Sequence, residues 1–415
     1  HLCWRHQPRQ RGPAGQGLRG GVEHGVRVER VIGCLQAQGA RTIHLGRDIR
    51  AGQQLESTVS QFHLCDDIRR SARAPGEASS SDRSLKEAMP DSLHKFLFEG
   101  LPVRGALVQL REGWRELLSR RATASDGGHA FAAPVRVLLG EMSAAACLMQ
   151  ANIKFNGALI LQMHGDGPVK LAVAEARSDL GYRSTAKIVG EVPADARLEA
   201  LLNVHGGGRC AITLDPTDRL PGQQPYQGVV PLHGDRREPL QALAQVLEHY
   251  MLQSEQLDTR LVLAADDEAA AGLLIQRLPA QGEANLSGTA WKSGDEDQIG
   301  RSEDFNRIAL LTATLTREEL LGLTPEKILR RLFWEETLRV FAPLRPRFSC
   351  TCSRERVAGM LRGLGREEVE SLIVERGQAE VGCDFCGRLY HFDAVDAGGL
   401  FTPVHDQAGG SNAVN

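Results

Sequence analysis

Residues 134 to 153 place apolar side chains at the spacing of an α-helix. Pro134 suits the first turn of a helix, where the amide hydrogen that proline lacks would have no partner. The apolar residues that share one face are Val137, Leu138, Met142, Ala145, Leu148 and Met149. A second stretch with helical spacing runs from 239 to 253. The pattern therefore predicts two helices in this part of the chain.

Short apolar runs, bounded by Gly, Pro and Asp, surround these two segments and are typical of β-strands. The predicted strands are 158–163, 169–173, 186–192, 211–214, 228–232, 260–264 and 272–278. The sequence Gly165-Asp-Gly-Pro168 is a turn that would join the first two strands. Strands accompanied by separate helices predict an α+β fold, with a strand-rich core domain and packed helices.

A further segment with helical spacing runs from Glu318 to Phe341. Its apolar residues are Leu321, Leu329, Leu332, Phe333 and Leu338. Gly322 and Pro325 should break this helix into two pieces, because glycine and proline both interrupt helices. The pattern predicts amphipathic helices that pack on the core.

Composition limits the possible functions. At 415 residues, of which 42% are hydrophobic, the chain is long enough for more than one domain with a buried core. No apolar run approaches the roughly 20 residues that span a membrane. A formal net charge of −3 and an aromatic content of 5% argue against nucleic-acid binding. No signal peptide is visible and the nine cysteines are unevenly spread, so we expect a cytoplasmic protein.

Four cysteines near the C-terminus form two close pairs. The pairs are Cys350-Thr-Cys352 and Cys383-Asp-Phe-Cys386-Gly, separated by a helix-sized insert from about Ser353 to Gly377. This spacing suits a tetrahedral zinc site, because each pair can hold one edge of the metal. Taken alone, the four cysteines are most simply a structural zinc ribbon. Walker, Rossmann, H-E-x-x-H and G-x-S-x-G motifs are absent from the sequence, so we expect no enzymatic activity.

The residues around the cysteines change this interpretation. The segments Phe348-Ser-Cys-Thr-Cys-Ser-Arg-Glu-Arg356 and Cys383-Asp-Phe-Cys-Gly-Arg-Leu-Tyr-His-Phe392 resemble the redox-switch domain of the heat-shock protein 33 family. Members of that family are zinc-containing holdase chaperones that oxidation activates. The resemblance extends from about Met89 to about Asp406. The other matching stretches are Phe96–Glu99, Val103–Gly105, Gly165–Pro168, Tyr226–Val230 and Ser254–Leu257.

The resemblance implies a division into domains. We expect an α+β chaperone core at 89–280, a helical linker at 281–346, a small zinc-binding redox-switch domain at 347–406 and a tail at 407–415. Residues 1–88 differ in composition: they have fourteen basic and nine acidic residues, thirteen of the basic ones being Arg, and no Met. We expect these residues to be a non-native or disordered extension, so that a protein starting at Met89 would be the complete chaperone.

The resemblance also implies a mechanism. Cys350, Cys352, Cys383 and Cys386 would bind one Zn²⁺ as thiolates in the reduced, inactive form, and Arg354, Arg356 and Arg388 could offset their negative charge. Oxidation would form disulfides, release the metal and unfold the switch and the linker. Apolar surface would then bind unfolding client proteins without ATP. The family also implies a homodimer after oxidation.

We expect the disulfides to join neighbours in sequence, Cys350–Cys352 and Cys383–Cys386. Close neighbours have the highest effective concentration, and the smaller, more strained C-x-C ring should close second.

Two other function classes remain open. A thiol-disulfide oxidoreductase would use Cys383 and Cys386, although no βαβ unit is predicted around them. A zinc-ribbon nucleic-acid adaptor would need a basic surface, whereas the chain after residue 88 carries a net negative charge.

Overall fold

The computed structural model describes residues 90–123, 130–219, 224–278, 300 and 302–401. The described helices are α1 Glu112–Ala122, α2 Ala133–Asn152, α3 Leu198–Leu202, α4 Leu243–Glu255, α5 Glu303–Ala313, α6 Arg317–Gly322, α7 Pro325–Leu332, α8 Arg354–Leu364, α9 Arg366–Arg376 and α10 Ala394–Phe401. The described strands are β1 Ser92–Phe98, β2 Val103–Leu110, β3 Gly157–His164, β4 Val169–Arg177, β5 Gly181–Ile188, β6 Arg209–Pro216, β7 Tyr226–Pro231, β8 Thr259–Ala265, β9 Ala270–Arg277, β10 Leu338–Val340, β11 Arg347–Phe348, β12 Ala379–Gly382 and β13 Leu389–Phe392. The expectations for 1–88 and for the tail at 407–415 concern residues outside this part of the chain.

Helix α2 lies at the centre of the core and confirms the helix predicted over 134–153. It packs against β4 and β5 of one sheet and against β8 and β9 of another. Most of its residues are buried. A helix that is apolar on all sides is stable only when it is covered on all sides. A Cβ atom at Gly140 would lie 2.4 Å from Cβ of Ala265, so glycine is required for this close packing.

The two main sheets have the strand orders β10-β1-β2-β9-β8 and β11-β5-β4-β3-β6-β7. Their neighbouring strands are antiparallel, except that β11 runs parallel to β5. The predicted α+β class is confirmed, and β3, β4, β6, β7, β8 and β9 correspond to predicted strands. No helix among the described residues is both long enough and apolar enough to cross a membrane.

Two predicted elements are displaced. The strand predicted over 186–192 is β5, which ends at Ile188 because Gly190 turns the chain with a φ of 98°. The helix predicted over 239–253 begins at Leu243. Its start is set by Gln245, whose side-chain oxygen accepts hydrogen bonds from the backbone amides of Gln241 and Ala242.

The linker helices α5, α6 and α7 cover the outer face of the first sheet. This interface has its own apolar cluster, separate from the one around α2. The cluster includes Phe96, Phe98, Leu107, Leu273 and Ile275 from the strands and Phe305, Ile308, Leu320, Ile328 and Phe333 from the linker. The strands β2 and β9 are therefore buried on both faces.

The predicted helix from Glu318 to Phe341 is correct in part. It breaks between Gly322 and Pro325 as predicted, but the helical structure ends at Leu332. The residues Leu338–Val340 instead form β10, which pairs with the edge strand β1. The open edge of β1 offers backbone hydrogen bonds, which outweigh the helical spacing of the side chains.

The linker is attached to the core at both ends of its described part. The backbone amide of Gly300 donates to the Asp258 carboxylate at 3.0 Å, and this buried carboxylate also pairs with Arg277. At the other end, Leu93 and Leu344 exchange two backbone hydrogen bonds of 2.8 and 2.9 Å.

The C-terminal module is a small unit in which α8, α9 and α10 pack against the hairpin β12–β13. The predicted helical insert between the cysteine pairs is two helices, because Gly365 has a φ of 97° and ends α8. The module's core includes Ala358, Leu361, Val369, Ile373, Tyr390 and Phe392. A core of this size gives little stability without a further cross-link.

Candidate metal centre

The structure brings the four C-terminal cysteines together. The Sγ atoms of Cys350 and Cys383 are 3.6 Å apart, and those of Cys352 and Cys386 are 3.4 Å apart. All four sulfur atoms lie within 4.8 Å of one another. Each of these short contacts joins one member of the C-x-C pair to one member of the C-x-x-C pair. Two distant segments of the chain are thus in contact through the sulfur atoms of free cysteines.

The C-x-x-C pair occupies the turn of the hairpin β12–β13. The backbone amide of Cys383 donates to the carbonyl oxygen of Arg388, and the amide of Gly387 donates to the carbonyl oxygen of Cys383. Gly387 has a φ of 68°, which glycine adopts at no steric cost. The two cysteines are therefore held in a tight hairpin turn.

The C-x-C pair joins the core sheet to the first helix of the module. The backbone amide of Ser349, directly before Cys350, donates to the carbonyl oxygen of Tyr182 on β5 at 2.9 Å. Directly after Cys352, the Ser353 side chain accepts a hydrogen bond from the Arg356 amide and caps α8. Both cysteines are therefore held between two ordered elements.

The arrangement fits a tetrahedral cation with four sulfur ligands. Zinc bound by sulfur at about 2.3 Å places its four ligands about 3.8 Å apart, which is close to the spacing of these sulfurs. Hydrogen bonds from Cys383 and Cys386 hold the pKa of Cys350 far below the usual thiol value. The Cys350 sulfur in turn raises the pKa of Cys383, and that of Cys386 to about 11. One thiol of the cluster therefore ionises readily. Ionisation of the other thiols requires a cation between the sulfur atoms.

The three arginines that were expected to offset the thiolate charge have different positions. Arg354 pairs with Asp396 at 2.7 Å and lies over the ring of Phe392, so it stabilises the module itself. Arg356 donates to Thr351 on the chain between the first two cysteines. Arg388 is exposed, and its pKa is raised first by Tyr390 and then by the sulfurs of Cys352 and Cys386.

Two residues of the core lie against the cluster and were not found from the sequence. Arg183 on β5 lies over the ring of Phe385, with its guanidinium carbon 4.1 Å from the ring centroid. Thr185 on the same strand donates from its hydroxyl to the carbonyl oxygen of Asp384 at 2.7 Å. About 200 residues of sequence separate these partners, and the strand predicted from the sequence begins at residue 186, so the sequence carries no signal for this pair.

Cys147 and Cys210 are fully buried in the core, where they pack as small apolar residues. Burial raises the pKa of both thiols, that of Cys210 to about 12. Both thiols are therefore unreactive, and neither belongs to the C-terminal cluster.

Comparison with known proteins identifies a family. The sequence model for the family described as Hsp33 protein matches residues 91–393. The chain is 47% identical over 311 residues to the 33 kDa chaperonin of Chromobacterium violaceum, covering 75% of this chain and 94% of that protein. It is 43% identical over 313 residues to the 33 kDa chaperonin of Methylobacillus flagellatus, with the same coverage.

A solved structure has the same fold. The crystal structure of the 33 kDa chaperonin from Thermotoga maritima, a heat-shock protein 33 homologue, superposes with a TM-score of 0.56. The match covers 74% of this chain and 97% of that one, at 22% sequence identity.

Proposed function

This chain belongs to the Hsp33 family of chaperones, and on that premise we propose that it is an ATP-independent holdase that oxidation activates. The observation that carries the proposal is the group of four thiols within 4.8 Å of one another. They link two segments of a module whose apolar core is small. A chemical change at the sulfurs would therefore remove a main support of the module.

We propose that the four thiolates of Cys350, Cys352, Cys383 and Cys386 bind one Zn²⁺ in the reduced protein. A bound zinc ion supplies a structural cross-link, which contributes roughly 10–16 kcal/mol of folding free energy in small zinc domains. The cysteines hold the hairpin β12–β13 against the chain between β11 and α8. In the proposed mechanism, this zinc-bound protein is the reduced and inactive form.

Oxidation would remove the ligands. For each disulfide, two thiolates lose two electrons to one molecule of hydrogen peroxide, which is reduced to two hydroxide ions. Two disulfides would use all four ligands and two molecules of peroxide. The module would then keep only its small apolar core and would unfold.

Client proteins would bind to apolar surface that the linker covers in the reduced form. The sheet face under α5 to α7 carries Phe96 and Phe98, whose rings lie 5.7 Å apart. Phe333 of the linker contacts both rings, at 6.1 and 5.0 Å between centroids. Detachment of the linker would expose both apolar faces at once. Exposed apolar patches of this kind bind other partly unfolded chains.

The domain division proposed for this mechanism is a core at 89–280, a linker at 281–346 and a switch at 347–406. The boundary regions are interleaved, since β10 and β11 each add to a sheet of the core. A homodimer of the oxidised form and a location in the cytoplasm belong to the same proposal, since the thiols must be kept reduced before stress.

A single peroxide titration tests the proposal. The reduced, zinc-loaded protein is titrated while zinc release, free thiols and suppression of the aggregation of a heat-unfolded client are measured. We expect one zinc to be released as four thiols are lost, and protection to rise in step. Full protection by the reduced zinc-loaded protein, or zinc release without protection, would contradict the proposal. Reduction of insulin with a thiol donor would instead favour the oxidoreductase alternative.

A further inference from the structure

The strand β5 has two faces with different partners. Tyr182, Ser184 and Ala186 are buried toward the interior, and the Ser184 hydroxyl lies 3.0 Å from the hydroxyl of Ser143 on α2. Arg183 and Thr185 alternate with them and therefore point to the opposite face. That second face carries the contacts with the cysteine module.

Arg183 is held in place by the neighbouring strand. It lies directly opposite Glu175 in the antiparallel pairing of β4 and β5. Its Nε and Nη2 atoms donate to the same carboxylate oxygen at 3.0 and 2.6 Å. Both side chains are largely buried, with 15% and 11% of their surfaces exposed. The guanidinium is thus fixed by the core, independently of the cysteines.

The free side of this guanidinium meets the cysteine cluster. It stacks on Phe385, one of the two residues between Cys383 and Cys386, with the guanidinium carbon 4.1 Å from the ring centroid. Burial opposes its charge, but the Glu175 carboxylate and then the Cys350 sulfur outweigh burial and raise the pKa of Arg183. One cation of the core therefore contacts the C-x-x-C half of the cluster, and its charge is favoured by the Cys350 sulfur of the other half.

We propose that Arg183 is a positioning residue of the thiolate centre, through which the core domain stabilises the metal-bound switch. This inference rests on the proposed binding of zinc. Four thiolates and one Zn²⁺ carry a net charge of −2, and a fixed guanidinium lowers the cost of placing that charge in a half-buried site. Its planar face also packs on the ring of Phe385 and thereby holds the turn of the hairpin β12–β13.

The same contact couples the redox state of the cysteines to docking of the module. Oxidation would replace the Cys350 thiolate by an uncharged disulfide, so the electrostatic attraction between this sulfur and the Arg183 guanidinium would be lost. Two hydrogen bonds between the core and the module would then remain without the support of Arg183. They run from the Ser349 amide to the Tyr182 carbonyl and from the Thr185 hydroxyl to the Asp384 carbonyl. Loss of the thiolates would therefore weaken the contact between the core and the cysteine module directly.

The test uses the full chain in its reduced, zinc-loaded form. The rate of zinc transfer to a chromogenic chelator is measured for the wild type, Arg183→Lys, Arg183→Met and Phe385→Leu. We expect roughly tenfold faster transfer for Arg183→Met and a smaller increase for Arg183→Lys, which keeps the charge but loses the planar stack. The matched control is Arg260→Met, which removes an arginine of β8, in the other sheet, that pairs with Glu248 of α4. It should transfer zinc at the wild-type rate.

A double variant separates positioning from loss of core stability. Phe385→Leu leaves the core unchanged and should also accelerate transfer, whereas adding it to Arg183→Met should give no further acceleration, because the two residues act as one contact. Wild-type rates in both Arg183 variants, or fully additive effects in the double variant, would overturn the inference. If the wild type itself binds no zinc, the proposed function fails, which is a different result.

Discussion

The buried side-chain amide of Gln109 donates a hydrogen bond to the carbonyl oxygen of Leu320, 2.8 Å away. Its second hydrogen bond, of 2.9 Å, goes to the carbonyl oxygen of Leu323. Arg111, the residue directly after β2, donates to the carbonyl oxygen of Leu321 at 2.6 Å. The last carbonyl groups of a helix have no partners within the helix. The core sheet therefore caps α6 and fixes the linker through polar as well as apolar contacts.

Replacement of Gln109 by Met should weaken docking of the linker. The change keeps the length of the side chain but leaves two carbonyl groups of the linker without a donor, at a cost of about 1–2 kcal/mol. Hydrogen exchange should be faster in α5 to α7, and protection of clients should need less peroxide. Gln162→Met, at a half-buried position on β3, is the control and should change neither. Unchanged exchange in the Gln109 variant would show that the apolar cluster alone holds the linker.

Each single Cys→Ser change in the cluster should lower the zinc content of the reduced protein. Serine supplies a weaker ligand for zinc than a thiolate does, and loss of the metal removes the cross-link of the module. Metal analysis of Cys352→Ser is the most direct measurement, together with hydrogen exchange in α8 and α9. Cys210→Ala, which changes a buried cysteine of the core, should keep full zinc content. Stoichiometric, tightly held zinc in Cys352→Ser would remove this residue from the ligand set.

Oxidation by peroxide should join Cys383 to Cys386 first and Cys350 to Cys352 second. Residues close in sequence stay close when the module loosens, whereas the pairs that are 3.6 and 3.4 Å apart depend on its folded structure. Peptide mapping after partial and full oxidation distinguishes the two results. Cys350–Cys383 and Cys352–Cys386 as main products would mean that the disulfides form while the module is still folded.

Glu141 on α2 should make stability depend on pH. Burial raises its pKa from 4.5 to about 7, and the nearby Arg317 of α6 acts in the opposite direction. Between these values the folded protein keeps a proton that the unfolded chain releases. The contribution of Glu141 to the free energy of unfolding therefore falls as the pH rises from about 4.5 to about 7, by at most about 3 kcal/mol.

Urea unfolding of the wild type and of Glu141→Gln across this pH range measures the effect. The difference between the two free energies of unfolding should change with pH and level off above about pH 7. Glu367→Gln, at an exposed position on α9, should follow the wild type at every pH. Parallel curves for the wild type and Glu141→Gln would exclude the proposed titration.

The sequence predicts elements best where one face of a strand or helix meets water. The alternating run of β3 is an example, with every second residue buried. The strands β1 and β2 were not predicted, because helices cover both faces of β2 and its polar residues, such as Arg104 and Gln109, point into interfaces. The short strand β10 depends on the open edge of β1, which no local pattern records.

The four cysteines could be found from the sequence because their spacing is local within each pair. The short contacts that join the two pairs are those expected if all four sulfur atoms surround one cation. Arg183 could not be found in this way, because its role depends on the pairing of β4 with β5 and on the docking of a distant turn. Contacts of this kind arise only when separate elements are packed together.

The attachments at Gly300 and Leu344 make the linker a closed loop in the sense of polymer theory. While both ends are held, melting of its helices yields a ring, whose conformational entropy is restricted. Opening one end releases roughly 3 kcal/mol of loop-closure entropy for a segment of this length. The end at Leu344 lies directly before β11 and the first cysteines, so loss of the thiolate centre acts where the ring opens. The linker therefore gains most of its conformational entropy in a single step, when the C-terminal attachment is lost.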